Sequence, residues 1–113
     1  MESWRVAVVA AQAKKAQDIS VLDVRDVASF TDTFVIFSGA NQRQNQAISD
    51  EIEKQLKEDG IRPLSIEGYQ QAEWILMDYG DLIVHIFSKR ARDYYDLERL
   101  WKTARPLAVG EES

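Results

Sequence analysis

The chain has 113 residues, 45% hydrophobic and 29% charged, with 5 Gly and 2 Pro, the balance of one globular domain rather than a disordered, fibrous or two-domain protein. Its 14 Lys and Arg against 19 Asp and Glu leave a net charge of -5, which argues against general attraction to nucleic-acid phosphates but not against a local basic patch. The absence of Cys removes disulfide frameworks, Cys-ligated zinc, iron–sulfur clusters and thiol nucleophiles, and a single histidine, His85, removes multi-His metal sites.

In chain order, Trp4 to Gln17 is Ala-rich, with Val6, Val9 or Ala10, Ala13 and Ala16 at helical spacing and Ser3 placed to cap the start. Val21–Val24 reads as a short strand, 28–32 as a turn, and Thr33–Phe37 as a buried strand dense in β-branched and aromatic residues. Ser38-Gly39-Ala40-Asn41 ends that strand. A long amphipathic helix follows, with Ile48, Ile52 and Leu56 recurring every four residues and Gly60 placed to stop it. Leu64–Ile66 is the next strand, so that strand, helix and strand form a crossover and part of the sheet is parallel. Trp74–Met77 and Leu82–Phe87 flank Asp78-Tyr79-Gly80-Asp81 as a β-hairpin. Lys89 to Arg105 reads as one helix with Ala91, Tyr94, Leu97 and Trp101 on a shared face. The expected fold is α/β: a single layered domain over residues 1–106, about five strands in a mixed sheet with three helices, and a solvated tail over 107–113.

The longest unbroken apolar run, Val6 to Ala11, is far short of the roughly 20 residues of a membrane helix, and 1–5 lacks the basic-then-apolar plan of a secretion signal. No membrane partner and a cytoplasmic location are the expectation.

Candidate catalytic chemistry is thin. Asp78 and Asp81 straddle a turn and Asp23, Asp26 and Asp32 are close in sequence, but turn aspartates bond their own backbone without catalysis, and that reading is preferred. Ser38-Gly39 before a helix resembles half of a nucleotidyltransferase site, yet the Asp-x-Asp pair that would hold magnesium is missing. His85 sits in a strand whose two faces the alternation does not tell apart, and no nucleophile motif accompanies it. A binding protein is favoured, with no cofactor and no metal.

Aromatic residues are the more informative set. Trp74, Tyr79, Tyr94, Tyr95 and Trp101 exceed what one small core absorbs, and adjacent helix positions cannot both point inward, so at least one of Tyr94 and Tyr95 should be exposed as an anchor for a partner. Lys89 to Arg105 carries six basic and three acidic residues, either a solvated face with internal ion pairs or an edge near RNA.

The stretches Asp32-Thr33-Phe34-Val35-Ile36, Glu67-Gly68, Glu73-Trp74-Ile75-Leu76-Met77-Asp78-Tyr79-Gly80-Asp81, Val84-His85-Ile86-Phe87 and Tyr94-Tyr95-Asp96-Leu97-Glu98-Arg99-Leu100-Trp101 together resemble the RsfS, or Iojap-like, family of ribosomal silencing factors. The resemblance covers residues 4–101. It implies a nucleotidyltransferase-like fold without the catalytic residues, in keeping with the missing Asp-x-Asp. It implies a translation repressor that binds large-subunit ribosomal protein fourteen and sterically blocks joining of the subunits, with organelle relatives linked to large-subunit assembly. By match to the family pattern Trp74, Met77, Asp78, Tyr79, Tyr94 and Leu97 fall on the partner surface. Self-association as a homodimer is implied too. The competing expectations are a large-subunit assembly factor contacting ribosomal RNA and a nucleotide-metabolism enzyme on the same fold.

Overall fold

A computed structural model describes residues 2–107. The elements are α1 (Ser3–Ala13), β1 (Gln17–Asp23), β2 (Thr33–Gly39), α2 (Gln42–Glu58), β3 (Ser65–Glu67), β4 (Trp74–Asp78), β5 (Leu82–Ser88), α3 (Lys89–Tyr95), α4 (Leu97–Leu100) and β6 (Arg105–Pro106). The six strands form one sheet in the order β3-β4-β5-β2-β1-β6. Only the central pair β2 and β5 is parallel; every other neighbouring pair is antiparallel. The layered α/β class and the mixed sheet are as expected.

Side-chain alternation along the central strands separates two cores. Val35 and Phe37 of β2, Ile75 and Met77 of β4, and Leu82, Val84 and Ile86 of β5 face α1 and α2. Phe34 and Ile36, Ile83 and Phe87 face the opposite way, towards α3 and α4. α2 buries Ile48, Ile52 and Leu56 completely, as their four-residue spacing requires. Asn41 caps it by accepting from the Gln44 N–H at 2.8 Å.

The hairpin is present, with Trp74 opposite Phe87 and Met77 opposite Val84. The strand after α2, by contrast, does not lie beside β2. β3 pairs with β4 at the sheet edge, and it is β5 that lies parallel to β2, because the hairpin inserts two strands between the ends of the crossover. β2 also runs on through Ser38 and Gly39, so those residues are strand rather than turn.

Further corrections concern the chain ends. α1 stops at Ala13, and Ser3 is its first residue rather than its cap. Its buried face holds Trp4, Ala7, Val8 and Ala11 together with Val6 and Ala10 of the expected stripe, whereas Val9 is exposed. The long C-terminal helix is broken: Asp96 adopts the left-handed conformation, φ 50° and ψ 56°, and ends α3. An Asp tolerates this region better than most residues. The break turns Leu97 into the core while leaving Tyr94 outside, so the two do not share a buried face. Trp101 to Ala104 then brings the chain back as β6 against β1, a sixth strand the sequence pattern does not reveal. Leu107 donates its N–H to the Val21 carbonyl at 2.9 Å and belongs to the domain; the rest of the expected tail lies outside the described residues. Among the described residues no helix is long and apolar enough to cross a membrane.

Two glycines end elements for different reasons. Gly60 has φ +78° with nothing near an added Cβ, while Gly68 has φ +79° and a Cβ there would lie 2.1 Å from the Trp74 carbonyl oxygen. Gly60→Ala is therefore expected to cost about 1 kcal/mol of backbone strain. Gly68→Ala adds a clash with main chain and should cost more than about 2 kcal/mol, the ranking to be read from urea denaturation midpoints.

Candidate aromatic docking face

The face of the sheet under α3 and α4 is built from rings. Starting at α3, Tyr94 meets Tyr95 at 5.0 Å between centroids, Tyr95 meets Trp74 at 4.5 Å, and Trp74 meets Phe87 at 5.0 Å. His85 lies 5.9 Å from Trp74 and edge-on to Phe34 at 5.0 Å. Phe34 meets Trp101 at 5.2 Å, and Trp101 meets Phe30 at 6.1 Å. These separations and tilts are those of attractive ring pairs. The chain of rings runs from α3 across β4, β5 and β2 to Trp101 just after α4, and surfaces at both ends, with Tyr94 80% and Phe30 57% exposed. Tyr95 is 47% exposed, Leu100 72%, and Trp74 and Leu76 are partly buried.

Polar groups frame one end. Glu73 accepts from the Ser88 hydroxyl at 2.7 Å and lies 3.5 Å from Arg90, and these donors hold its carboxyl below the usual glutamate range, Ser88 first. Glu73, Arg90, Ala91, Tyr94 and Tyr95 line a shallow groove of about 340 Å³.

The six residues matched to the family's partner surface do not form one surface. Trp74 and Asp78 share a face of β4, and Trp74 joins Tyr94 through Tyr95. Met77 points to the other side of the strand, is 0% exposed and receives the Ser49 hydroxyl at 3.6 Å on its sulfur. Tyr79 is also buried with the α1–α2 core, and that burial pushes its phenol up to about 12. Leu97 is buried on the α3–α4 side. Consecutive residues of a strand alternate faces, so Met77 could have been separated from Trp74 and Asp78 by period alone. Leu76 and Phe30 are members of the face that the sequence reading does not single out; Tyr95 is in its aromatic set, but the contact of Tyr95 with Trp74 carries no local sequence signal.

The chemical alternatives find little support in the geometry. Ser38, half of the suspected phosphate turn, is fully buried and accepts from Arg92 Nη1 at 2.8 Å. Arg92 is in turn paired with Glu98. Asp78 accepts from the Gly80 N–H at 2.8 Å and Asp23 from the Arg25 N–H at 3.1 Å, the turn bonding expected of such aspartates. No acidic or His cluster able to hold a metal occurs among the described residues. A polar cleft of about 430 Å³ opens at the opposite end of β2, but Arg25 and Arg105 on its wall are both bound to Asp23. Of the six basic residues between Lys89 and Arg105, four are seen in ion pairs, with Asp18, Glu73, Glu98 and Asp23.

The layered fold, with a ring-lined and partly open sheet face, defines a single α/β domain. The model of the family described as "Ribosomal silencing factor during starvation" matches residues 1–112, and the chain belongs to that family. It is similar to ribosomal silencing factor RsfS of Bacillus subtilis, 43% identical over 104 residues that cover 92% of this chain and 87% of that protein. It is similar to the mouse protein named mitochondrial assembly of ribosomal large subunit protein 1, 33% identical over 91 residues, 78% of this chain and 40% of that protein. Among solved structures, a Chromobacterium violaceum protein superposes with a TM-score of 0.85 at 35% identity, covering 97% of this chain and 95% of that one. A Bacillus halodurans protein does so with 0.83 at 39% identity, covering 94% and 96%.

His85 is buried, and desolvation alone pulls its pKa down from 6.5 to about 4. The unfolded chain then takes up a proton below about pH 6.5 that the folded chain refuses, so stability is whole above that pH and falls towards pH 4. Between about pH 7 and pH 5 the wild type should lose about 2 kcal/mol more than His85→Gln, measured by urea denaturation of both.

Proposed function

We propose that the protein docks on the large ribosomal subunit through the open aromatic face and silences it by steric occupation, with large-subunit ribosomal protein fourteen as the surface it covers. The observation that carries this reading is the run of rings from the exposed Tyr94 through Tyr95 to the partly buried Trp74, on a strand and helix of a ribosomal silencing factor domain. Exposed Tyr and Trp of this kind are the residues that dominate binding energy at protein interfaces. The proposed contact residues are Trp74, Asp78 and Tyr94, joined by Tyr95. Met77, Tyr79 and Leu97 support them from within the cores.

Occupation of this sort needs no reacting group. A face that excludes the small subunit acts through its shape and affinity alone, so repression should track occupancy of the large subunit. The mouse relative's name favours a second reading, large-subunit assembly, which would use the same face at an earlier stage. Nearby ribosomal RNA and a homodimer of the free chain remain part of the proposal as further partners of that surface, and the site of action proposed is the cytoplasm.

Sedimentation with purified large subunits, followed by addition of small subunits, tests the reading. Wild type should pellet with large subunits and reduce formation of the full ribosome. Trp74→Ala and Tyr94→Ala should each weaken binding by more than about 1 kcal/mol, or roughly fivefold. Met77→Ala should instead lose about 2–4 kcal/mol of folding stability, leaving the affinity of the folded fraction unchanged. No wild-type binding, or full binding by Trp74→Ala, overturns the proposed site.

A further inference from the structure

We infer that His85 is a positioning residue: its Nδ1 accepts the Trp74 Nε1–H at 3.1 Å and so fixes the indole in place on the aromatic face. Three observations converge. The bond crosses from β5 to β4, where His85 stands opposite Leu76 and Trp74 opposite Phe87, so it is a diagonal tie between neighbouring strands. The other rings against Trp74, Phe87 at 5.0 Å and Tyr95 at 4.5 Å, meet it ring to ring, which leaves Nδ1 as the observed acceptor for the indole N–H. An indole N–H in a partly buried setting costs free energy if left unpaired.

The second observation is what histidine gives up to do this. An Nδ1 that accepts is unprotonated, so the neutral ring carries its hydrogen on Nε2, and Nε2 is buried without a partner. Buried unpaired donors are rare and unfavourable. The other residues from Leu82 to Phe87 are apolar, and an apolar residue at 85 would avoid the orphaned donor. Packing alone therefore does not account for histidine here, whereas holding the indole does.

The third is the surroundings. His85 is enclosed by Phe34, Trp74 and Phe87, with Ile36 and Leu76 across from it on the two flanking strands. The bond to Trp74 is thus a neutral, water-poor contact, and the indole it orients touches Tyr95, which touches the exposed Tyr94. The role in docking rests on the large-subunit reading above; the role in holding Trp74 does not.

Two measurements separate them. In the ¹⁵N-labelled full chain, the Trp74 indole resonance, assigned by its loss in Trp74→Phe, should show a nitrogen–nitrogen coupling to His85 Nδ1 and protection from exchange. His85→Phe should shift that resonance and remove the protection, while His85→Gln, whose side-chain oxygen can accept, should keep part of both. In co-sedimentation with large subunits His85→Phe should weaken binding roughly fivefold, as for loss of a neutral hydrogen bond, His85→Gln less, and His85→Phe should add nothing in a Trp74→Phe background. The thermal midpoint of His85→Phe should not fall. Absence of the coupling in the wild type overturns the inference with no substitution needed. A lost bond with unchanged binding, where Trp74→Ala does lower binding, overturns the docking role of His85 and leaves the large-subunit reading standing. Failure of the wild type to bind large subunits overturns that reading, and the indole resonance still decides whether His85 holds Trp74.

Discussion

The structure depends on how unequally the two faces of its sheet are covered. A sheet whose central pair is parallel needs cover on both sides. One face receives α1 and α2, of 11 and 17 residues, and a continuous aliphatic core. The other receives α3 and α4, of 7 and 4 residues, too short to span four strands. Large flat rings supply the missing cover, since each shields much apolar area with few rotatable bonds. Where helix and rings both give out, at Tyr94 and at Phe30, the face meets solvent.

The short cover holds because Arg92 ties it down. This residue of α3 reaches Ser38 on β2 at 2.8 Å and pairs with Glu98 of α4, so one side chain joins both helices to the sheet across the break at Asp96. Breaking the helix at Asp96 lets Leu97 enter the core and leaves the tyrosines outside, which a single straight helix could not do with the same residues. The same contact engages the buried Ser38 hydroxyl near the end of β2.

How much of this was legible in the sequence follows the range of the interactions. α2 and the hairpin were readable because their signals are local and periodic: Ile48, Ile52 and Leu56 at four-residue spacing, and two apolar runs about a four-residue connector. The partner of β2 was not, because β3 and β5 are both parallel to it in direction and only the later hairpin decides which lies beside it. β6 is two residues long and pairs with a strand some eighty residues earlier, which no window detects. Within the site, the exposure of the paired tyrosines followed from helix geometry. The burial of Met77 is equally available from strand alternation, since the pleat puts Trp74 and Asp78 on one face of β4 and Met77 on the other. The side on which His85 lies needed the register, since all its neighbours in β5 are apolar and mark neither face.

These constraints bear on how such a face would bind. Association loses less free energy when the contact residues are already ordered. Trp74 sits on a strand between two others, its carbonyl against the Cα of Gly68, its ring between Phe87 and Tyr95, and its N–H on His85. Tyr94, one contact further out, has the T-shaped support of Tyr95 and is otherwise free to meet a partner. Burial thus falls off outward along the run of rings, from the partly buried indole to the exposed phenol. A partner that first engages Tyr94 and then settles on Trp74 would find the adaptable group at the rim and the rigid anchor beneath it, which is the division of labour that fully desolvated hot spots and their surrounding contacts display.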